Sequence, residues 1–234
     1  MANDYAKFKK QNRLLIETIY RDFFNNNQGS LKIKKEAVVL KNLEVIINTT
    51  LKLSSEMGFQ SMSLRDLSRE SGLSMGALYT YFNSKDDLLR IIHHFGMQTV
   101  PDLLTKAIDG VSDTHKKLSN VVQTHLYLSE MMQLWFQFFF METKNLTQED
   151  RKIPFESELF TEQIIIDILE EGRQSGLYSI QDTTLTAALI KALLQNWYLK
   201  RWKFAKQKIS IEQYLTFIID SIETLVLVKK EVKA

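Results

Sequence analysis

A chain of 234 residues with 44% hydrophobic residues is long enough for two small helical units, and its 8 glycines and 2 prolines favour long helices over many short strands. The absence of cysteine excludes disulfides, thiol nucleophiles and thiolate metal sites; a polar N-terminus and the lack of any stretch approaching roughly 18 uncharged apolar residues read as a cytoplasmic protein with no membrane span. The net charge of +2 hides an asymmetry, because residues 1–97 hold 14 Lys and Arg against 10 Asp and Glu while residues 98–234 hold 16 against 18, a distribution that suits a nucleic-acid reader joined to something else. In chain order, Phe8, Leu15, Ile19 and Phe23 predict an amphipathic helix over 8–24, stopped by the turn formers of residues 25–30. A second helix is expected over 34–56, with Val38, Leu40, Leu43, Ile46, Ile47, Thr50, Leu51 and Leu53 on a broad apolar face and Gly58 as its C-cap. Ser63 with Asp66 three residues on reads as a capped helix start, Gly72 as a turn, Ser74 as the cap of a short helix reaching Tyr81, and Ser84 as the cap of a longer one. Acids at Asp86 and Asp87 suit the dipole of that last helix. Longer helices are expected at 101–109, 115–144, 156–175, 183–206 and 210–231, with residues 147–155 as a loop around Pro154. The expected fold class is all-α, divided into an N-terminal extension (1–33), a helix-turn-helix domain (34–84) and a larger helical domain (85–234).

The chemistry sits in residues 58–89, which describe two short helices joined by a glycine turn with a third behind them. In such a helix-turn-helix the second short helix enters the major groove. Leu64, Leu67, Leu73, Leu78 and Phe82 are the expected apolar pins, and the small Gly76 and Ala77 allow close approach to a duplex.

This stretch closely resembles the DNA-binding domain of the TetR family. The resemblance is carried by Gly58-Phe59, Arg65-Asp66-Leu67, Gly72-Leu73-Ser74, Leu78-Tyr79-x-Tyr81-Phe82 and Ser84-Lys85-x-x-Leu88, spread over about 50 residues with the preceding helix. It implies that Ser63 and Arg65 touch the DNA backbone, that Ser74, Met75, Gly76, Ala77, Tyr79 and Thr80 face the groove, that Tyr79 and Tyr81 grip phosphates, and that Lys85 adds a phosphate contact at a helix N-terminus. The family often has Lys, Thr and His where Met75, Ala77 and Thr80 stand, and Thr where Met62 precedes the cap. Fewer polar tips imply more contact with thymine methyls and more reliance on DNA shape. The N-terminal extension is longer than usual, and Lys7, Lys9, Lys10, Arg13, Lys32, Lys34 and Lys35 form either an arm along the DNA backbone or the solvated side of a packed helix.

The resemblance also implies a ligand-responsive regulator, mostly a repressor in this family, that binds a pseudo-palindromic double-stranded operator as a homodimer. Residues 127–141, apolar on nearly every side, read either as plain core or as a pocket lined by Met131, Met132, Trp135, Phe136, Phe139 and Phe140. Trp197 and Arg201 join the expected lining, for an apolar or amphipathic effector. Leu185, Leu189, Ala192, Leu193, Asn196 and Trp197, then Leu215, Ile218, Ile219, Ile222, Leu225 and Val226, give the last two helices faces that by resemblance pair across a two-fold axis. The histidines, His93 and His94 adjacent and His115 and His125 apart, lack metal spacing and read as surface or partly satisfied residues. No P-loop, dinucleotide fingerprint, G-x-S-x-G or HExxH is present, so no enzyme, catalytic residue, metal or cofactor is expected. The alternative is a helical protein whose helix-turn-helix meets other proteins without specific DNA binding.

Overall fold

The structure, a computed structural model, describes residues 4–12, 15–27, 35–97 and 99–227. Apart from one antiparallel bridge between Tyr178 and Leu227, the regular structure of the described residues is helical. Packing groups the chain into two units, one drawn from residues 11–99 and 134–156, the other from 1–10, 100–133 and 157–234.

In the first unit, α2 (Leu15–Asn27) packs on α3 (Glu36–Met57), α3 on α4 (Leu64–Ser71), and α4 on α5 (Met75–Leu78). Helix α6 (Lys85–Met97) also packs on α2. Helix α3 buries Val39, Leu43, Ile46, Ile47, Thr50, Leu51 and Leu53, a spacing of three and four that puts one stripe inward. The expected face began one residue early: Val38 lies outside at 41% exposure, and Val39 takes its place in the core. Gly58 ends α3 with φ +80°, a backbone angle that a side chain would strain. Most of α9 (Gln133–Glu142) belongs here too, with Trp135, Phe136, Phe138 and Phe139 buried.

The second unit is organised around α8 (Thr114–Met131), against which α11 (Thr183–Leu199) and α13 (Ile211–Val226) both pack. It also holds α7 (Thr99–Ile108) from Val100 onward, α10 (Lys152–Gln174) from residue 157 onward, and α12 (Arg201–Lys206). Trp197 is fully buried, stacked on Phe204 at 5.1 Å and tilted against Tyr214 at 4.9 Å. Gly172 is required by packing, since a Cβ there would lie 2.0 Å from the Tyr178 ring.

Three expected helices are broken in the structure. The N-terminal one is two: α1 (Asp4–Gln11), which belongs to the second unit except for its last residue, and α2. The long helix over 115–144 breaks at Met132, whose φ of −114° and ψ of 37° leave the helical region. The helix over 183–206 breaks likewise at Lys200, φ −118° and ψ 29°. Neither break carries glycine or proline, so the apolar pattern runs through both. The loop is shorter than expected, because Pro154 sits in the first turn of α10, where a missing N–H breaks no helical bond.

Candidate nucleic-acid interface

The helix-turn-helix is built by short-range hydrogen bonds. The Ser63 Oγ accepts from the Asp66 backbone N–H at 3.1 Å, and the Asp66 carboxylate accepts from the Ser63 N–H at 3.0 Å, closing a reciprocal capping box at the start of α4. The Ser63 hydroxyl, donating to that carboxylate at 2.6 Å, and then the Ser63 N–H and Arg69 at 2.8 Å hold the Asp66 carboxyl below its usual range. Gly72 turns the chain at φ +70°, and Ser74 caps α5 through the Ala77 N–H at 3.2 Å. Ser84 caps α6 in the same way through Asp87. Leu67, Leu78 and Phe82 are buried, Leu64 and Leu73 half-buried, and Met62, where the family has a polar residue, is core.

Most of the expected contact residues lie on the outside of this frame. Ser63, Arg65, Ser74, Gly76 and Tyr79 are exposed, and Met75, Ala77, Thr80 and Lys85 half-buried. Arg65 meets no hydrogen-bond or ion-pair partner among the described residues, so its guanidinium is unspent. The Thr80 hydroxyl is spent on the Ala77 carbonyl at 2.6 Å, which leaves it only as an acceptor. Tyr81 stands apart. It is 6% exposed, its hydroxyl accepts from the Asn42 amide of α3 at 2.9 Å, and burial pushes its pKa up. Lys85 donates to the Gln60 carbonyl at 2.8 Å and lies 4.9 Å from the Phe59 ring centroid, so it braces the turn before α4 and keeps further N–H donors for a phosphate. Burial lowers its pKa.

Asn42 and Glu142 are the supporting residues that sequence reading missed. Glu142, 6% exposed, accepts from the Phe59 N–H and Ser54 Oγ, both at 3.4 Å, and from the Asn145 amide at 2.5 Å. Apart from Asn145, their partners lie 39 to 88 residues away, which no local motif signals.

The basic residues of the N-terminal extension divide. Lys7, Lys9 and Lys10 are exposed on α1, whose Tyr5 and Phe8 rings meet Tyr127 edge-on at 5.3 and 5.4 Å within the second unit. Lys35 is the exposed residue before α3, and Arg13, Lys32 and Lys34 lie outside the described residues.

The expected effector lining is split between the units. Trp135 and Phe139 meet at 5.7 Å in the first, where Phe136 is buried and Phe140 is 51% exposed. Met131, Met132, Trp197 and Arg201 belong to the second. There Arg201 grips the Glu130 carboxylate with two bonds of 2.9 and 3.1 Å, the Trp197 indole N–H donates to the same carboxylate at 2.9 Å, and the guanidinium lies over the indole at 4.8 Å. The polar groups of Trp197 and Arg201 thus bind helix to helix.

Two histidines depart from the surface reading. His93 is 2% exposed against Phe138 and Phe139, and burial lowers its pKa to about 4. His125 is buried, and that burial, with the Lys191 charge, holds it neutral. Lys191 is itself buried, donating to Thr161 at 2.8 Å and pairing with Glu158 at 3.2 Å. His115 pairs with Glu223 at 2.9 Å. Among the described residues no helix is long and apolar enough to cross a membrane.

Residues 46–92 match the model of the bacterial regulatory proteins of the tetR family, and residues 111–222 that of the tetracyclin repressor-like C-terminal domain. The transcriptional regulator HbdR of Aromatoleum sp. strain CIB is 24% identical over 170 residues, 73% of this chain and 74% of that one. A tetR-family regulatory protein from Rhodococcus RHA1 has the same fold, with a TM-score of 0.74 at 18% identity over 81% of this chain and 99% of that one. AibR, solved in complex with isovaleryl coenzyme A and operator DNA, superposes with a TM-score of 0.69 at 16% identity, covering 77% and 97% of the two chains. The relatives are regulators, not enzymes, and the matches span both the helix-turn-helix and the larger helical domain. The chain is a DNA-binding transcriptional regulator of the TetR family.

Proposed function

We propose that the protein is a homodimeric repressor that occupies a pseudo-palindromic operator and leaves it on binding a small, largely apolar effector. One observation carries the DNA-binding half. The caps at Ser63, Ser74 and Ser84 and the Asn42–Tyr81 bond consume the local polar groups that fix geometry, while Arg65 and Tyr79 face outward unspent. Arg65 and Lys85 then meet phosphates with Tyr79 gripping the backbone, Met75, Gly76, Ala77 and Thr80 lie along base edges, and Ser63 and Ser74 serve mainly as the caps that hold them. Tyr81 acts as a positioning residue through Asn42.

Dimerisation draws on the apolar side chains that α11 and α13 leave outside. Leu185 is 69% exposed, Leu189 48%, Phe217 67% and Leu225 45%, whereas Trp197, Ile218, Ile222 and Val226 fill the second unit's own core. The effector reading draws on the aromatic side chains of α9 and on AibR, a protein of the same fold with both an acyl-coenzyme A and DNA bound. Duplexes selected from a random pool, with sedimentation of the free protein, test the reading. Recovery of two inverted half-sites about one helical turn apart or multiples of it, bound by a dimer, is expected. Recovery of no preferred sequence, or a monomer at every concentration, contradicts it. Calorimetry adds a second check, because an effector that weakens operator binding by some factor is itself bound more weakly by that factor on DNA.

A further inference from the structure

The turn between α3 and α4 is held from far along the chain. Gly58 and Phe59 lead out of α3, and the Phe59 backbone N–H is buried. The only acceptor it meets among the described residues is the Glu142 carboxylate, at 3.4 Å. The same Oε1 accepts from the Ser54 hydroxyl at 3.4 Å, while Oε2 accepts from the Asn145 amide at 2.5 Å, which aims the carboxylate at the end of α3. Glu142 stands 83 residues beyond Phe59, in the stretch that matches the C-terminal domain, and packs in the first unit with the helix-turn-helix.

Phe59 is completely buried, and its ring meets the Phe138 ring of α9 edge-on at 5.6 Å. The Lys85 ammonium lies over the Phe59 ring, 4.9 Å from its centroid, and donates to the carbonyl of the next residue, Gln60, at 2.8 Å. Both supports of Lys85 are thus carried by the turn that Glu142 and Phe138 grip. Lys85 opens α6, and its other N–H donors are unspent among the described residues. Burial lowers its pKa, and the charges of Asp86 and Glu142 oppose that fall, so Glu142 also helps to keep the ammonium charged.

A buried backbone N–H has to be paired. Without Glu142 the turn shifts until the Phe59 N–H finds water or another acceptor, and the Phe59 ring and Gln60 carbonyl shift with it. Lysine has no rigid fork to fix its direction, so its ammonium points where its supports place it. We infer that Glu142 is a positioning residue for Lys85, acting through Phe59 and Gln60: too buried to touch DNA itself, it sets where the ammonium meets the phosphate. The inference rests on the phosphate contact proposed for Lys85.

The test is operator binding by the full chain over a salt series, with the duplex recovered from the random pool as probe and thermal unfolding alongside. Lys85→Ala is expected to lose about tenfold in affinity and about one unit of salt slope. Glu142→Ala should lose about fivefold and about half a unit of slope, and should add nothing further in the Lys85→Ala background. Glu142→Gln keeps an acceptor for the Phe59 N–H and should recover most of the affinity. A residue of purely structural importance would lower the melting temperature, scale all affinities alike without moving the slope, and add fully to Lys85→Ala. Phe138→Leu removes the edge contact, keeps an apolar side chain, and should lose about threefold with a similar change of slope; it decides the matter if Glu142→Ala does not fold. When Lys85→Ala lowers the slope, an unmoved slope in Glu142→Ala, or a loss that adds fully to that of Lys85→Ala, overturns the positioning role and leaves the phosphate contact standing. Unchanged affinity and slope in Lys85→Ala itself removes the phosphate contact, and the positioning role with it.

Discussion

The helix-turn-helix and the second unit spend their polar groups over different distances. Between Ser63 and Asp87 most of the bonds that set the frame join neighbours, Ser63 with Asp66, Ser74 with Ala77, Ala77 with Thr80 and Ser84 with Asp87, while Tyr81 to Asn42 and Lys85 to Gln60 reach further. The second unit has local caps too, at Asp113, Asp182 and Ser210, but adds pairs between helices far apart in the chain: Trp197 and Arg201 with Glu130, Lys191 with Thr161, His115 with Glu223. A frame built from local caps tolerates a bare outer surface, which is what a DNA reader needs. A frame that buries long-range pairs is vulnerable to losing one partner, because the other is then left as an uncompensated polar group away from water.

Glu130→Ala should have the largest effect on that comparison. It leaves the Arg201 guanidinium and the Trp197 N–H unpaired in a mostly buried setting, at a cost of about 3 kcal/mol in denaturant unfolding, with Glu130→Gln recovering part of it. A loss below that of a surface variant would show that the pair is idle. The pH dependence of stability is next. His93 titrates near pH 4 when folded and near 6.5 when unfolded, so between those values the unfolded chain binds more protons. Stability is therefore full above about pH 6.5 and falls as pH drops toward 4, by on the order of 3 kcal/mol from this residue. Denaturation curves across that window should flatten in His93→Phe; an unchanged slope would remove His93 as the cause.

Gly172→Ala should cost about 2 kcal/mol, since the new methyl meets the buried Tyr178 ring, and Tyr178→Ala in the same chain should relieve much of the clash. An additive double variant would break this account. Ser63→Ala is the small, local counterpart, losing about 1 kcal/mol as a cap with Ser63→Gly milder. If Ser63→Ala instead destabilises as much as Glu130→Ala, the contrast between local and long-range frames fails.

The same contrast explains what could be read in the sequence. Ser63, Gly72, Ser74 and Ser84 act within four residues of themselves, so spacing alone located both short helices and the turn. The outward roles of Arg65 and Tyr79 came from the resemblance to the TetR family. Tyr81 was legible as part of the motif but not as a buried partner of Asn42, because that bond crosses 39 residues. The breaks at Met132 and Lys200 were hidden by apolar side chains that continue on both sides of them. The placement of α1 with the second unit was equally hidden, because Tyr5 and Phe8 find Tyr127 only in the folded chain. His93 and Lys191 were unreadable for a related reason: burial, not identity, makes them unusual.

The central claim is that the exposed side chains of the helix-turn-helix read DNA while the caps merely hold them. It is tested most directly by fluorescence anisotropy of a selected operator duplex with Arg65→Ala and Tyr79→Ala, over a salt series and beside thermal unfolding. Each variant is expected to unfold as the parent does and to lose about tenfold in operator affinity, with Arg65→Ala lowering the salt slope by about one. Undiminished affinity and slope in both variants, at unchanged stability, would contradict it.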